Sequence, residues 1–514
     1  MFYGNKKLGR FVKTSVTFGS LLYLTTNEEM QRRQKILYRS SKLLYQVSNE
    51  DPSNLKAEQE KQAQTLYELL SEAGGTFVKL GQMIATNTYL FPDAYVKAMF
   101  PLLDSCPTTN YQIVKKQIEK ELGKPVEEVF KYIDEKPVAS ASLAQVHRAI
   151  LLNGDEVAIK IQHRKIKERA QSDIKMVKLG LTILKKAFGI DYLWLSNDIN
   201  ESMQKELNFM TEAQNAERCR DLFVGNQNIY IPKIYHEYNT EKLIVMEFVH
   251  AYKITESDKL EKDKLNKLQI SNILNQCFAK QVFEHGFVHC DPHPGNILVR
   301  PIPQKYYTNW LMGWESEYNA PQIVLLDHGI YRDIDKQTRL TFAKMWKGII
   351  LGDQKCNEEI AKELNVDLNR LYYPDGTKEL DTMPRIKLLR STLAFKCFEA
   401  ENADEVFNEQ NVKGLNKKDL EEKKIMYDYA KRLHKTCASI LCENDDRNLF
   451  FLFKNNLYIR NIDIELGYEI NNVDTLLEYA CATIDKEGTE NQGYWSSYSK
   501  YLAKSVLYFA GYFY

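Results

Sequence analysis

Net charge, paired cysteines and long apolar runs are all scarce in this 514-residue sequence. Lys+Arg and Asp+Glu each number 69, so the balance gives no general reason to expect nucleic acid as a partner, and any basic patch must be local. The nine cysteines (106, 219, 277, 290, 356, 397, 437, 442 and 481) are odd in number and contain no C-x-x-C pair. Neither a disulfide framework nor a zinc site is signalled, and a reducing compartment fits best. The apolar stretch 16–24 is interrupted by Thr17, Gly19 and Ser20. It falls well short of the roughly 20 residues a membrane-spanning helix needs. No internal repeat or low-complexity tract is evident.

What is present suits a globular chain: 44% of residues are apolar, enough to bury a substantial core over two or three domains. The first 27 residues carry Lys6, Lys7, Arg10 and Lys13, no acidic residue, and the hydroxyls of Thr14, Ser15 and Thr17. That is the composition of a mitochondrial targeting segment, the plainer alternative being a frayed basic terminus. Residues 28–120 read as helical, with Leu66, Leu69, Leu70, Ala73, Phe77, Leu80 and Ile84 at three- and four-residue spacing. Two short runs, 142–150 and 157–161, flank Asn153-Gly154 and predict a β-hairpin. A long helical stretch is expected over 166–219, then strand character at 231–232 and 243–249. From 256 onward helix dominates, apart from the runs 297–299 and 323–326, and the Pro-, Tyr- and Trp-containing segment 301–321 between them reads as a loop insertion. The charged stretch 256–267 reads as a solvated helix face.

Five features then fall in the order that a phosphotransfer site of the protein-kinase type demands. Val157-Ala158-Ile159-Lys160 is an apolar strand ending in a lysine suited to the α- and β-phosphates of a nucleotide. Glu212, on a helical stretch, is suited to hold that ammonium. Val245-Met246-Glu247-Phe248-Val249 resembles a hinge, with Met246 as gatekeeper and Glu247 to Val249 offering backbone groups to adenine. His289-Cys290-Asp291-Pro292-His293-Pro294-Gly295-Asn296 matches H-x-D-x-x-x-x-N at full spacing. Asp291 would orient or take the proton of the attacking group, and Asn296 would give a hard oxygen to Mg²⁺. Asp327-His328-Gly329 follows an apolar run, where a second Mg²⁺ ligand is expected in Asp327. Each feature alone has a bland reading as an edge strand, a surface acid, a buried strand or a polar turn. Their order makes the signal specific. His289 and His293 have no thiol or carboxylate at a recognised zinc spacing.

Two further absences narrow the reading. No G-x-G-x-x-G precedes Lys160; the chain has Ala139-Ser140-Ala141-Ser142 instead, whose Cβ atoms limit positive φ and close backbone approach to phosphate. No A-P-E follows Gly329, and helical pattern resumes near Thr338, which leaves little room for a peptide-docking segment. His293 stands where a phosphate-holding Lys or Arg is common.

With these departures, the chain from about 72 to 352 resembles the UbiB/aarF-domain (ABC1-type) atypical kinase family, with weaker similarity at 455–467. The resemblance is closest to the mitochondrial aarF-domain kinases linked to cristae and lipid homeostasis. Lys79-Leu80-Gly81-Gln82 matches the family's K-x-G-Q, Ala139 to Ser142 its alanine-rich loop with Ser140 for an alanine, and Glu206-Leu207-Asn208 its E-x-D with Asn208 in place of the acid. At helical spacing Lys79 and Gln82 share a face and can reach one target.

The resemblance implies an α+β, protein-kinase-like bilobal fold with an N-terminal helical extension and C-terminal helices. Its expected parts are a targeting segment (1–27), an extension carrying K-x-G-Q (28–135), a small lobe (136–250), a large lobe (251–400) and a C-terminal helical region (401–514). It implies ATP or ADP and Mg²⁺ as ligands, with Ala139, Ser140, Ala141, Ser142, Lys160, Met246, Glu247 and Val249 on the nucleotide. Asn296 and Asp327 would hold the metal, and Asp291, Lys160 and Glu212 would be catalytic. A lid would involve Lys79, Gly81, Gln82, Glu206 and Asn208. The implied activity is that of an ATPase or small-molecule kinase in mitochondrial lipid or coenzyme Q homeostasis at the inner membrane, with a lipid or membrane surface as partner. A nucleotide-binding scaffold and a protein kinase are the other readings. Residues 494–514, rich in aromatics, suit either an amphipathic helix on a membrane or a helix docked on the large lobe.

Overall fold

The computed structural model describes residues 28–49, 54–86, 91–103, 108–188, 192–309, 314–351, 447–467 and 471–487. The expectations for 1–27, 352–446 and 494–514 lie outside these residues. The chain forms two compact units, one of residues 1–217 and 232–249 and the other of 218–231 and 250–514.

Unit 1 begins with helices α1 (Glu28–Ser48), α2 (Leu55–Ala73), α3 (Thr76–Thr86) and α4 (Asp93–Met99). The apolar spacing read from the sequence faces inward: Leu69, Leu70, Ala73, Phe77 and Ile84 are buried in one cluster with Met99 and Leu102. Each fully buried side chain of this size contributes about 1.5–3 kcal/mol. Gly81 of α3 is required by this packing, since a Cβ there would lie 2.3 Å from Leu102 Cδ1.

After α5 (Tyr111–Leu122), strands β1 (Phe130–Ile133), β2 (Ala139–Ser140), β3 (Ala144–Leu151), β4 (Glu156–Gln162) and β6 (Leu243–Glu247) build an antiparallel sheet ordered β1-β3-β4-β6, with β2 on β3. The β3–β4 turn is the expected one: Gly154 has φ +95°, and Asn153 Oδ1 accepts from Asp155 N–H at 3.0 Å. Val114 and Ile118 of α5 and Phe130 and Ile133 of β1 share a core with β3, β4 and β6. The pairing of β1 with β3 therefore crosses the boundary expected at 135/136. The helical stretch from 166 is three helices rather than one: α6 (Ile166–Phe188), α7 (Leu193–Glu206) and α8 (Phe209–Leu222). Asn208 causes the second break, because its Oδ1 accepts from Met210 N–H at 3.1 Å and so caps α8.

Unit 2 contains β5 (Ile229–Tyr230), β7 (Tyr252–Lys253), α9 (Ser257–Lys262), α10 (Lys267–Ala279), β8 (Phe287–His289), β9 (Ile297–Asn309), β10 (Trp314–Leu325), β11 (Tyr331–Asp333), α11 (Lys336–Leu351), α12 (Arg447–Leu466) and α13 (Asn471–Glu487). Its sheets are ordered β5-β10-β9-β7 and β11-β8. The reading of 301–321 as a loop is corrected here: β9 and β10 stay paired from Leu325↔Ile297 out to Trp314↔Asn309, passing through Pro321↔Pro301. Neither β5 nor β7 extends past this inner end, so the outer ribbon has two edges, where a proline without an N–H is tolerated. Val282, Phe283, Phe342 and Trp346 pack with Leu452, Ala480 and Ile484 of the C-terminal helices. No described helix is long and apolar enough to cross a membrane.

Candidate nucleotide and metal site

In unit 1 the inner strand β4 carries Lys160 opposite Ile244 of β6. Its Nζ donates to Glu212 Oε1 at 2.7 Å and Oε2 at 2.9 Å, so α8 holds the ammonium with both carboxylate oxygens. The Glu212 side chain is 3% exposed and that of Lys160 14%. Nζ also lies 5.2 Å from the Phe209 ring centroid, one turn before Glu212. The sequence pairing of Lys160 with Glu212 is thus realised.

Ala139 and Ser140 form β2, and Ala141 and Ser142 lie in the loop before β3. Val138 N–H donates to Val146 C=O and Ala141 N–H to Ala144 C=O, both at 2.8 Å, while Ser140 and Ser142 are buried. The tip is fixed from behind by His163, whose Nε2 bonds Ala141 C=O at 3.1 Å and whose Nδ1 bonds Thr109 Oγ1 at 3.0 Å. Behind β3, Gln145 Nε2 meets His147 Nε2 at 2.7 Å and His147 Nδ1 meets Asp134 C=O at 2.7 Å. Burial pushes both imidazoles below their ordinary value, which keeps them neutral and suited to these bonds.

At the hinge segment, Glu247 N–H donates to Lys233 C=O at 2.8 Å and Phe248 N–H to Glu156 C=O at 3.0 Å. These two donors serve the fold rather than a ligand.

Lys79 and Gln82 do not share a target. Lys79 Nζ pairs with Glu206 at 2.8 Å, whereas Gln82 Nε2 donates to Leu102 C=O at 2.8 Å. The helical face is shared, but Glu206 draws one side chain and a 3₁₀ turn at Phe100–Leu103 draws the other. Asn208, expected beside Glu206 in this motif, is the cap of α8 instead.

In unit 2 the loop after β8 is braced from several sides. Asp291 N–H donates to His289 Nδ1 at 3.0 Å, and Asn296 Nδ2 donates to Asp291 C=O at 3.2 Å. His293 Nδ1 accepts from Gly295 N–H at 3.1 Å, so this imidazole caps the 3₁₀ turn Pro294–Asn296. Leu326 N–H donates to Asn296 C=O at 2.9 Å, which sets the residue before Asp327 against Asn296. Asp327 has φ +48°, a left-handed conformation costly for a residue with a Cβ, and its Oδ1 accepts from Gly329 N–H at 3.2 Å. His328 is buried, bonded to Tyr331 Oη at 2.9 Å and Leu325 C=O at 3.2 Å. His289 is buried too, and burial lowers its imidazole below the ordinary value.

Asn296 and Asp327 offer hard oxygen chemistry, and the amide nitrogen of Asn296 is already committed to Asp291 C=O. No described cluster of three His, Cys, Asp or Glu exists that would cage a metal by itself. This donor set suits Mg²⁺, which is held by one or two carboxylate-type ligands and completes its shell with water and phosphate.

Three residues that hold this loop were not anticipated. Gln281 Oε1 accepts from His289 N–H at 2.9 Å, from a π-helical turn (Lys280–His285) that continues α10. Asn455 Nδ2 donates to His289 C=O at 2.6 Å, and Tyr458 Oη donates to Asp291 Oδ1 at 3.3 Å, both from α12. The available signal was polar residues on an apolar helical face: Asn455, Tyr458 and Asp463 are buried beside Leu452, Ile459, Ile462 and Leu466.

A strand lysine paired to a helix glutamate, an H-x-D-x-x-x-x-N loop and an Asp-His-Gly turn on an α+β scaffold define the kinase-like class. Within that class, residues 101–361 match the profile of the ABC1 atypical kinase-like domain, and the chain belongs to that family. The family resemblance drawn from the sequence motifs is borne out. Relatives include a putative ABC1 protein of Arabidopsis thaliana, 38% identical over 59% of this chain and 57% of that protein. A probable serine/threonine-protein kinase of Dictyostelium discoideum is 30% identical over 93% of this chain and 64% of its own length. AarF domain-containing protein kinase 1 of Mus musculus is 30% identical over 72% and 66% respectively. The chain spans about 57 to 64% of the length of the first two relatives. Among solved structures, the erythromycin complex of Rv3197 from Mycobacterium tuberculosis has a TM-score of 0.40 at 22% identity, covering 61% of this chain and 76% of that one.

Proposed function

We propose that this chain is a Mg²⁺-dependent ATPase or small-molecule kinase of mitochondria, acting at the inner membrane in lipid or coenzyme Q homeostasis. The observation that carries the nucleotide reading is the buried, two-oxygen pairing of Glu212 with Lys160. A cation fixed in this way is oriented toward phosphate at little further entropic cost. In this reading Lys160 holds the α- and β-phosphates, Asn296 and Asp327 hold Mg²⁺, and Asp291 orients the attacking hydroxyl or water. Bound there, Mg²⁺ would neutralise charge on the phosphates and assist the leaving group. Ala139 to Ser142 and the hinge positions Met246, Glu247 and Val249 flank the nucleotide, while Lys79, Gly81, Gln82 and Glu206 belong to a lid. The basic, acid-free composition of residues 1–27 supports the mitochondrial address. The short interval between Gly329 and α11 argues against a protein acceptor.

One observation favours a nucleotide-binding scaffold as second reading: His293 caps its own loop, at a position where a cation would hold the γ-phosphate. Mg-ATP hydrolysis by the full chain, with and without anionic-lipid vesicles, beside Asp327→Asn, separates the two. The enzyme reading expects wild-type turnover well above the variant. Equal rates sink it and leave the scaffold.

A further inference from the structure

We propose that α12 is part of the catalytic machinery's support, with Tyr458 a positioning residue for the Asp291 carboxylate and Asn455 its companion on the preceding strand. The proposal rests on the role given to Asp291 above. It adds a segment of chain that lies outside the matched family region, 101–361.

The backbone of the loop is held locally, by His289 Nδ1 on Asp291 N–H and by Asn296 Nδ2 on Asp291 C=O. Neither bond reaches the carboxylate. Tyr458 Oη does, donating to Oδ1 at 3.3 Å from a side chain in a residue only 7% exposed. Asn455, one helical turn earlier on the same face, fixes the residue two before Asp291 by donating to His289 C=O at 2.6 Å. The helix bearing both is itself pinned further along. Asp463 is fully buried and accepts from Ser271 Oγ at 2.7 Å and Asn275 Nδ2 at 2.9 Å, both on α10. A slip of α12 by one turn, about 5.4 Å, would strand that carboxylate and remove both loop contacts together.

A phenol donor on Oδ1 biases the carboxylate rotamer and so sets how Asp291 meets a substrate hydroxyl or water. Loss of the donor should therefore cost the chemical step and spare nucleotide binding. Tyr458→Phe removes only the hydroxyl and keeps the ring. The expected result is a kcat for Mg-ATP hydrolysis lower by about threefold, the worth of one long hydrogen bond, with KM for ATP unchanged. In an Asp291→Ala background the same substitution should have no further effect. A wild-type kcat in Tyr458→Phe, or an equal loss in both backgrounds, overturns the proposal. Should wild type hydrolyse no ATP, the enzyme reading fails by itself, and the contact is still decided by thermal unfolding of the four proteins. Tyr458→Phe lowering the melting temperature less in the Asp291→Ala background upholds it, and additive shifts overturn it.

Discussion

Removing the Lys160 ammonium leaves Glu212 as a charged group with a side chain only 3% exposed and its principal cation gone. A buried pair broken from one side typically costs about 3–5 kcal/mol, because the survivor keeps its desolvation penalty without the compensating attraction. Both distances, 2.7 and 2.9 Å, are short enough that each oxygen loses a real donor. In a unit of this size each kcal/mol moves the melting temperature by about 2–4 °C, so Lys160→Met should lower the unit 1 transition by on the order of 10 °C. Glu212→Leu should behave similarly, leaving Lys160 with the Phe209 face as a remaining partner. The double variant should be more stable than either single one, since both charges leave together. Differential scanning calorimetry of the four proteins at one pH checks this. Additive losses, or single losses below about 1 kcal/mol, would refute the view that the pair is tightly coupled and buried.

Asp463 provides a pH test. Burial pushes its carboxyl up to about 6 from an ordinary 3.8, against the lowering effect of Asn275 and Ser271. The folded chain thus holds a proton that the unfolded chain has released: its stabilising contribution is full below about 3.8 and is lost as pH rises through about 6. Asp463→Asn, whose amide can donate to Ser271 Oγ while its oxygen accepts from Asn275, should gain on wild type by up to about 3 kcal/mol between pH 4 and 7 in urea titrations, and a constant difference would count against it. Gly81→Ala should lower the stability of unit 1 by about 1–3 kcal/mol, since the new Cβ meets Leu102 Cδ1 at 2.3 Å and Leu70 Cδ1 at 3.3 Å. Thermal melts of this variant that match wild type would show that the neighbouring side chains yield freely.

How much of this was legible beforehand depended on whether the determinant was local. The β3–β4 hairpin is written in Asn153-Gly154, and the inward face of α2 and α3 in the three- and four-residue spacing of Leu69, Leu70, Ala73 and Phe77. Lys160 and Glu212 are 52 positions apart, yet their pairing followed from an ordered motif. The segment 301–321 misled because its Pro, Tyr and Trp texture reads as loop, whereas Pro301, Pro303 and Pro321 sit where the β9–β10 ribbon has left its flanking strands and a proline is tolerated. Lys79 and Gln82 misled because sharing a helical face sets neither the reach nor the partner of a side chain. Asn455 and Tyr458 reach the loop across more than 160 positions; the weak family similarity at 455–467 and their place on an apolar helical face mark the segment without naming the partner. Asn208, where the family motif carries an acid, caps α8 through its Oδ1, a local role that the spacing of the motif does not reveal.

The central claim is that the chain binds nucleotide through Mg²⁺ held by Asn296 and Asp327. Calorimetric titration of the full chain with ADP, in Mg²⁺ and again in excess EDTA, tests it most directly. The account predicts saturable binding in Mg²⁺ that weakens at least tenfold with EDTA and equally in Asp327→Asn, the worth of one metal-ligand interaction of about 1.4 kcal/mol or more. Binding that is absent in Mg²⁺, or unchanged by EDTA and by Asp327→Asn, would contradict it.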